Sequence, residues 1–371
     1  MPSSPRTSPS PTSHVVAGLS GTPPTVPPLS EAEGDPVGSG PDILFLDDRN
    51  GWASGTGGLV STSDGGRTWH LDFRATPVAE GSGMFQGVGA LDFIDVDHSW
   101  AVDAGTLIAS TDGGHDWHPV GTPHELKGAS QLHFTDPAHG WALIETSPCS
   151  PGCTTVGSLV STRDGGATWA PVRLPGQVQA MCWASPSVGW AGGGTAVYGT
   201  TDNGRTWASF SLPSFFPTPA SPDQGAGTEI ITVACSGATA WIFGAQGVGM
   251  GSQGYTVDRT LDGGAHWQPI LGGEGWAGLP NIDHCAGPIA APTARVASFA
   301  GWCPACNPEA TSSTVTGDAG ATFRRHPVNP TGPLPGPGLI PEAISFGDAT
   351  HGSILGQVTE APGPGSGAVY H

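Results

Sequence analysis

Three features of this 371-residue sequence predict an all-β fold, specifically a seven-bladed β-propeller of four-stranded antiparallel blades. They are a turn motif present six times, a strand-turn motif that alternates with it, and a spacing between copies that matches one blade. The turn motif reads TSDGGRTW from Thr62 to Trp69. It returns as STDGGHDW (Ser110 to Trp117), TRDGGATW (Thr162 to Trp169), TTDNGRTW (Thr200 to Trp207), TLDGGAHW (Thr260 to Trp267) and TGDAGATF (Thr316 to Phe323). Successive aspartates lie 48, 52, 38, 60 and 56 residues apart. The alternating motif places a tryptophan seven positions after an aromatic: Phe45 to Trp52, Phe93 to Trp100, Phe134 to Trp141 and Trp183 to Trp190. Weaker copies end at Trp241 and begin at Phe346, and one unit, HCAGPIAAPTARVAS, is recognisable mainly by position.

Composition agrees. Glycine (59) and proline (37) are abundant and charged residues make up only 12% of the chain, yet thirteen tryptophans and twelve phenylalanines recur at regular places. Such a pattern fits many short strands joined by tight turns. The formal net charge of −19, with Lys127 the only lysine, repels phosphate backbones and argues against nucleic-acid partners. No apolar run has the length of a transmembrane span. Residues 1–40 read as a Pro/Ser/Thr-rich linker or a closing strand, with no signal-peptide core visible, and residues 41–371 as the propeller.

Chemistry explains the turn motif. An aspartate carboxylate accepts hydrogen bonds from N–H groups of its own turn, glycines supply positive φ, and the hydroxyl residue ties the other side. The six aspartates (Asp64, Asp112, Asp164, Asp202, Asp262, Asp318) are therefore expected to be structural, because a reaction centre is not built six times on six hairpins.

These motifs resemble the Asp-box (BNR) repeats of sialidases, sortilin-type receptors, xyloglucanases and photosystem II assembly factor-like propellers. The alternation of F-x-D-x-x-x-G-W with T-x-D-G-G-x-T-W is most similar to the last group, over about residues 41 to 371. The resemblance implies a fold and leaves function open.

Each blade reads as strands A to D, with the turn motif between C and D. A seventh unit opens with AISFGD and GSILGQV and stops at GAVYH, so it is either incomplete or closed by an N-terminal stretch such as SHVVAGL, 13–19. In an up-and-down meander the A–B and C–D turns share one face, and the B–C and D–A connections share the other. Length variation concentrates in the second class: 146–157, 244–255 and 303–312 among B–C connections, and 211–229, 272–280 and 328–338 among D–A connections. Long connections on one rim mark a recognition face. Within it Phe215, Phe216 and Trp276 are the candidate binding residues, against the alternative that they fold back as local mini-cores.

Cys149 with Cys153, and Cys303 with Cys306, are candidates for loop-closing disulfides and place the chain in an extracytoplasmic compartment, secreted or surface-tethered. Their blades lie too far apart around the ring for one zinc ion. Cys182, Cys235 and Cys285 occupy similar A-strand positions, either as small buried residues or as one inter-blade bridge plus a free thiol. The thirteen histidines show no metal-binding spacing, and those after the turn-motif tryptophans, His70 and His118, read as solvent-facing. No metal or cofactor is expected. A sialidase-like activity would need an arginine cluster and a tyrosine nucleophile. Of three tyrosines, Tyr198 and Tyr370 fall at equivalent C-strand positions and Tyr255 in a loop. No residue is singled out as catalytic. The expected function is a monomeric, non-enzymatic scaffold that binds a protein partner through its long-loop face. The alternative is a carbohydrate-active propeller, as glycoside hydrolase or glycan binder.

Overall fold

The computed structural model describes residues 14–17, 25–26, 42–55, 57–79, 87–122, 124–146, 156–212, 229–249, 252–272, 279–280, 285–302, 312–327, 338–346, 351–359 and 366–370. Two short strands, β1 (His14–Ala17) and β2 (Thr25–Val26), precede six consecutive groups of four. The first comprises β3 (Asp42–Phe45), β4 (Gly51–Gly55), β5 (Gly58–Thr62) and β6 (His70–Arg74). The second is β7 (Val88–Asp95), β8 (His98–Asp103), β9 (Thr106–Ser110) and β10 (His118–Pro119). The third is β11 (Ala129–Phe134), β12 (Gly140–Thr146), β13 (Val156–Thr162) and β14 (Ala170–Val172). The fourth is β15 (Ala180–Trp183), β16 (Gly189–Gly193), β17 (Ala196–Thr200) and β18 (Ala208–Phe210). The fifth is β19 (Glu229–Ser236), β20 (Thr239–Gly249), β21 (Ser252–Thr260) and β22 (Gln268–Gly272). The sixth is β23 (Cys285–Ala290), β24 (Ala297–Trp302), β25 (Ser312–Thr316) and β26 (Arg324–Pro327).

Each group forms its own four-stranded antiparallel meander, so the molecule is a β-propeller with six such blades. A further sheet has the order β2-β1-β29-β28-β27, built from β27 (Gly338–Phe346), β28 (Gly352–Thr359), β29 (Ser366–Tyr370) and the two N-terminal strands. In it β1 runs parallel to β29, with Val16 opposite Val369. The inner strands form a closed series, in which β3, β7, β11, β15, β19, β23 and β27 each contact the next and β27 contacts β3.

The turn motif adopts one geometry six times. Thr200 Oγ1 donates to Asp202 Oδ1 (2.9 Å) and accepts from Gly204 N (3.0 Å). The other end of the turn is held by Thr206, whose N–H reaches Oδ1 (2.9 Å) and whose hydroxyl reaches Oδ2 (2.7 Å). The same bonds link Thr62, Asp64 and Thr68, and Thr316, Asp318 and Thr322. Where the last residue is not threonine the chemistry adapts: His266 Nδ1 lies 2.6 Å from Asp262 Oδ2. Each carboxylate thus has both oxygens engaged within its own hairpin, or one at Asp112, where Asp116 replaces the threonine. Glycine is required at the second glycine position. Gly114 has φ +79°, and a Cβ there would sit 2.6 Å from Trp52 Nε1.

The same turns grip the A–B turns of their own blades. Gly65 N donates to Arg49 O, Gly165 N to Ala138 O, Asn203 N to Ser187 O, Gly263 N to Ala238 O and Ala319 N to Arg295 O, all within 3.2 Å. The A–B and C–D turns therefore share one face, as the meander requires.

Between blades the aromatics form layers. Trp52 stacks on Phe93 of the next blade with centroids 4.0 Å apart, Trp100 on Phe134 at 3.8 Å, and Trp141 on Trp183 at 3.6 Å. Each acceptor ring also takes a turn-motif tryptophan edge-on from its own blade, Trp117, Trp169 and Trp207 respectively. Trp141 and Trp241 are fully buried. The two repeated motifs are thus halves of one inter-blade joint, worth more than area burial alone by roughly 1 kcal/mol per ring pair.

Three expectations are corrected. Residues 244–255 are largely ladder rather than loop, because β20 and β21 continue pairing to Gly249 and Ser252 around a bulge after Ala245. Tyr255 consequently lies in β21, fully buried beside Phe243, and not in a loop. Cys285 does not match Cys182: it pairs with Trp302 at one end of β23, whereas Cys182 pairs with Trp190 near the opposite end of β15. Tyr198 and Tyr370 do hold equivalent register, opposite Ala191 and Ile354. His70 and His118 are exposed.

Thr200→Val deletes the hydroxyl that joins Asp202 to the Gly204 N–H at a buried position. Denaturant titration should show a loss of about 1–3 kcal/mol with the fold retained. An unchanged midpoint would show that the turn does not need this bond.

Candidate functional site

The turn face offers little free chemistry. Its six motif aspartates are engaged in hydrogen bonds that lower all of them from the usual carboxylate value. The Thr206 hydroxyl and N–H lower Asp202 to about 2, and those of Thr322 do the same for Asp318. Asp262 is likewise lowered to about 2, first by the His266 side chain and then by its N–H. A carboxylate stabilised in this way is a poor proton donor near neutrality. The candidate binding residues Phe215, Phe216 and Trp276, and the cysteines 149, 153, 303 and 306, lie outside the described residues. Among the described residues no group of three or more His, Cys, Asp or Glu could hold a metal ion. No helix among them is long and apolar enough to cross a membrane.

One described connection on this rim shows how such segments can sit. Residues 124–128 fold over the β8–β9 hairpin: Leu126 N donates to Gly105 O (2.9 Å), and His124 Nδ1 lies 2.8 Å from Ala104 O. Leu126 is buried beneath. Ala104 and His124 both have positive φ, as does Ala90 at the bulge in β7. Strained backbone of this kind collects where a structure holds residues in set positions.

Nearer the axis the inner strands carry a second pattern. The innermost strand of a blade has no ladder partner on one edge, so its outward N–H groups need other acceptors. The neighbouring blade supplies them. Asp92 accepts from Phe134 N, Gln131 Oε1 from Met181 N at 2.9 Å, and Ser345 Oγ from Phe45 N at 2.8 Å. Asp42 accepts from Leu91 N. Register relates them: Asp92 and Ser345 precede the A-strand aromatic by one residue, whereas Asp42 and Gln131 precede it by three. At the fourth seam the tether is covalent, a disulfide between Cys182 and Cys235 with Cα atoms 5.9 Å apart. Cys182 precedes Trp183, and Cys235 stands where the other blades have their aromatic. With no ring there, Trp190 meets Trp267 and Phe210 instead.

Two of these tethers are ionisable. Burial pushes Asp42 up to about 6, against the Ile43 N–H, and the nearby Asp92 charge adds to the rise. Burial also raises Asp92, opposed first by His133, whose Nδ1 lies 3.9 Å from Asp92 Oδ1. Sequence reasoning did not single out Asp42, Asp92 or His133. The available signal was an acid inside an apolar inner strand, in PDILF and ALDF.

No protein-family model and no curated protein sequence matches this chain. Solved structures do. YCF48 with a D1 peptide bound aligns over 88% of this chain and 96% of its own, at 17% identity and a TM-score of 0.51. The GH74 xyloglucanase of Xanthomonas campestris aligns over 90% of this chain and 54% of its own, at 16% identity and a TM-score of 0.54. An ancestral GH74 enzyme covers 91% of this chain, at 12% identity and a TM-score of 0.55. What they share is the propeller. At these identities the likeness establishes the fold alone. The chain spans nearly all of the first structure but only about half the length of the two GH74 enzymes, 54% and 47%.

The Cys182–Cys235 bridge closes a loop of 53 residues. Its removal in a Cys182→Ser/Cys235→Ser variant should lower unfolding free energy by roughly 4 kcal/mol. Thermal denaturation of oxidised wild type and the variant checks this. Coincident transitions would show that the ring does not depend on the bridge.

Proposed function

We propose that this chain is a non-enzymatic propeller scaffold that binds a protein partner through the face carrying its B–C and D–A connections. One observation carries the reading. The A–B and C–D turns are nearly uniform and hydrogen-bonded to each other blade after blade, whereas long connections fall almost entirely in the opposite class. A face whose polar groups are consumed by its own architecture has little left for a ligand. That a fold relative, YCF48, carries a bound peptide supports a polypeptide partner. Phe215, Phe216 and Trp276 are the proposed anchors, since aromatic side chains dominate interface energetics.

The finer architecture belongs to this proposal. Residues 41–371 make one seven-bladed ring of Asp-box type, the last blade being the sheet of β27–β29. The N-terminal segment of residues 1–40 adds β1 and β2 to its outer side and otherwise serves as linker or tether. The Cys182–Cys235 bridge, together with proposed loop disulfides Cys149–Cys153 and Cys303–Cys306, suits an extracytoplasmic monomer.

A carbohydrate-active reading draws on the two GH74 enzymes among the fold relatives. This chain spans only about half of each, and among its described residues the turn aspartates are spent in hairpins. Glycoside turnover abolished by changing a rim carboxylate would overturn the scaffold reading. For the scaffold itself, a peptide selected from a random display library on the immobilised protein should lose at least tenfold in affinity for Phe215→Ala/Phe216→Ala/Trp276→Ala, at unchanged melting temperature. Lowered stability with unchanged affinity would assign the three aromatics to local cores.

A further inference from the structure

The tethers of the first two seams differ from the other three described above. Gln131 and Ser345 are neutral acceptors and Cys182–Cys235 is covalent, but Asp42 and Asp92 place two carboxyl groups in succession, on β3 and β7, where each accepts an N–H from the following blade. We propose that the seams joining blades one, two and three form a pH-sensitive element, which tightens as the surroundings acidify and loosens toward neutral and alkaline pH.

The groups around the pair support this. Asp42 is also anchored at its own backbone, where its N–H donates to Ser54 Oγ at 3.2 Å. β4 carries no ionisable residue, and β28 none. β27 contributes one acid, Glu342. On β7 the nearer acid is Asp92, with Asp95 at the far end paired to His98 on β8 at 2.8 Å. The one acid of β8, Asp103, accepts from Thr76 N at 3.0 Å. From β11 the facing group is His133. No lysine or arginine belongs to any of these strands. Ionising both carboxyls therefore puts two like charges into one low-dielectric seam region, with one half-exposed imidazole beside the second.

The sign follows. A carboxyl whose value is higher in the closed seam than in the open, solvated state retains its proton longer when closed. Closure is therefore strongest at low pH and weakens as pH rises from the solvated value, 3.8, through the closed value, about 6 for Asp42. This one group allows the open fraction to rise on the order of tens-fold between pH 4.5 and 7.5. The pair titrates as a coupled unit, so the transition belongs to the seam and not to either residue alone.

Hydrogen exchange of the full-length protein, read by mass spectrometry and corrected for the intrinsic pH dependence of exchange, tests this. Peptides of β3, β7 and β11 should lose tens-fold in protection between pH 4.5 and 7.5, while the β17 peptide of blade four changes little. Asp42→Asn keeps the acceptor oxygen and removes the charge. It should abolish most of the loss at β3 and β7 and raise protection at pH 4.5 by less than about tenfold. Asp92→Asn provides the second test, at β7 and β11. Equal loss at β17 would mean general repulsion in a chain of net charge −19 and would overturn the proposal. So would an unaltered pH dependence in both variants.

Discussion

A propeller blade is a sheet with two edges, and the inner edge is the constraint from which the rest of this structure follows. Its N–H groups face the axis without a ladder partner, and they must be satisfied for the ring to be stable. Here each of several blades lends a side chain to the next: Asp42 and Asp92, then Gln131, a disulfide at Cys182, and Ser345 back onto the first blade. The A-strand register repeats while the chemistry at it varies between carboxylate, amide, hydroxyl and sulfur.

The aromatic joints obey the same economy. A tryptophan from one blade lies flat on the ring of the next, and that ring receives the turn-motif tryptophan edge-on. Where a blade lacks the ring, as at Cys235, the bridge and a rearranged Trp190–Trp267 contact take its place. Local and long-range requirements therefore agree at each seam. The turn aspartate holds the hairpin, the hairpin sets the tryptophan, and the tryptophan closes the joint. The face proposed for binding is the one that this machinery does not use.

Much of this was legible in the sequence, because both motifs are local and repeated. Thr200 to Trp207 spells out its own hydrogen bonds, and six copies rule out coincidence. The blade boundaries, the shared face of the two short turns and the equivalence of Tyr198 with Tyr370 followed from spacing. What spacing could not show was anything that depends on which strand faces which neighbour. Asp42, Asp92 and His133 belong to three different blades and become partners only when the ring forms. Cys182 and Cys235 differ by one register position, and in a period-two strand that difference turns one side chain forward and the other back, so that they meet. Tyr255 was misplaced because glycine-rich residues 244–255 read as a loop, whereas strand pairing continues through them around a bulge. The proposed binding aromatics, Phe215, Phe216 and Trp276, fall in connections whose length the sequence reveals and whose contacts it does not.

The most direct measurement of the central claim is amide exchange, resolved residue by residue by nuclear magnetic resonance, at Phe45, Phe134 and Met181. Their N–H groups point away from their own ladders, toward the preceding blade. If side chains from that blade satisfy them, these amides are as protected as their ladder-bonded neighbours, and Gln131→Ala deprotects Met181 selectively. Exchange at the rate of an open strand edge in the wild type would contradict the account.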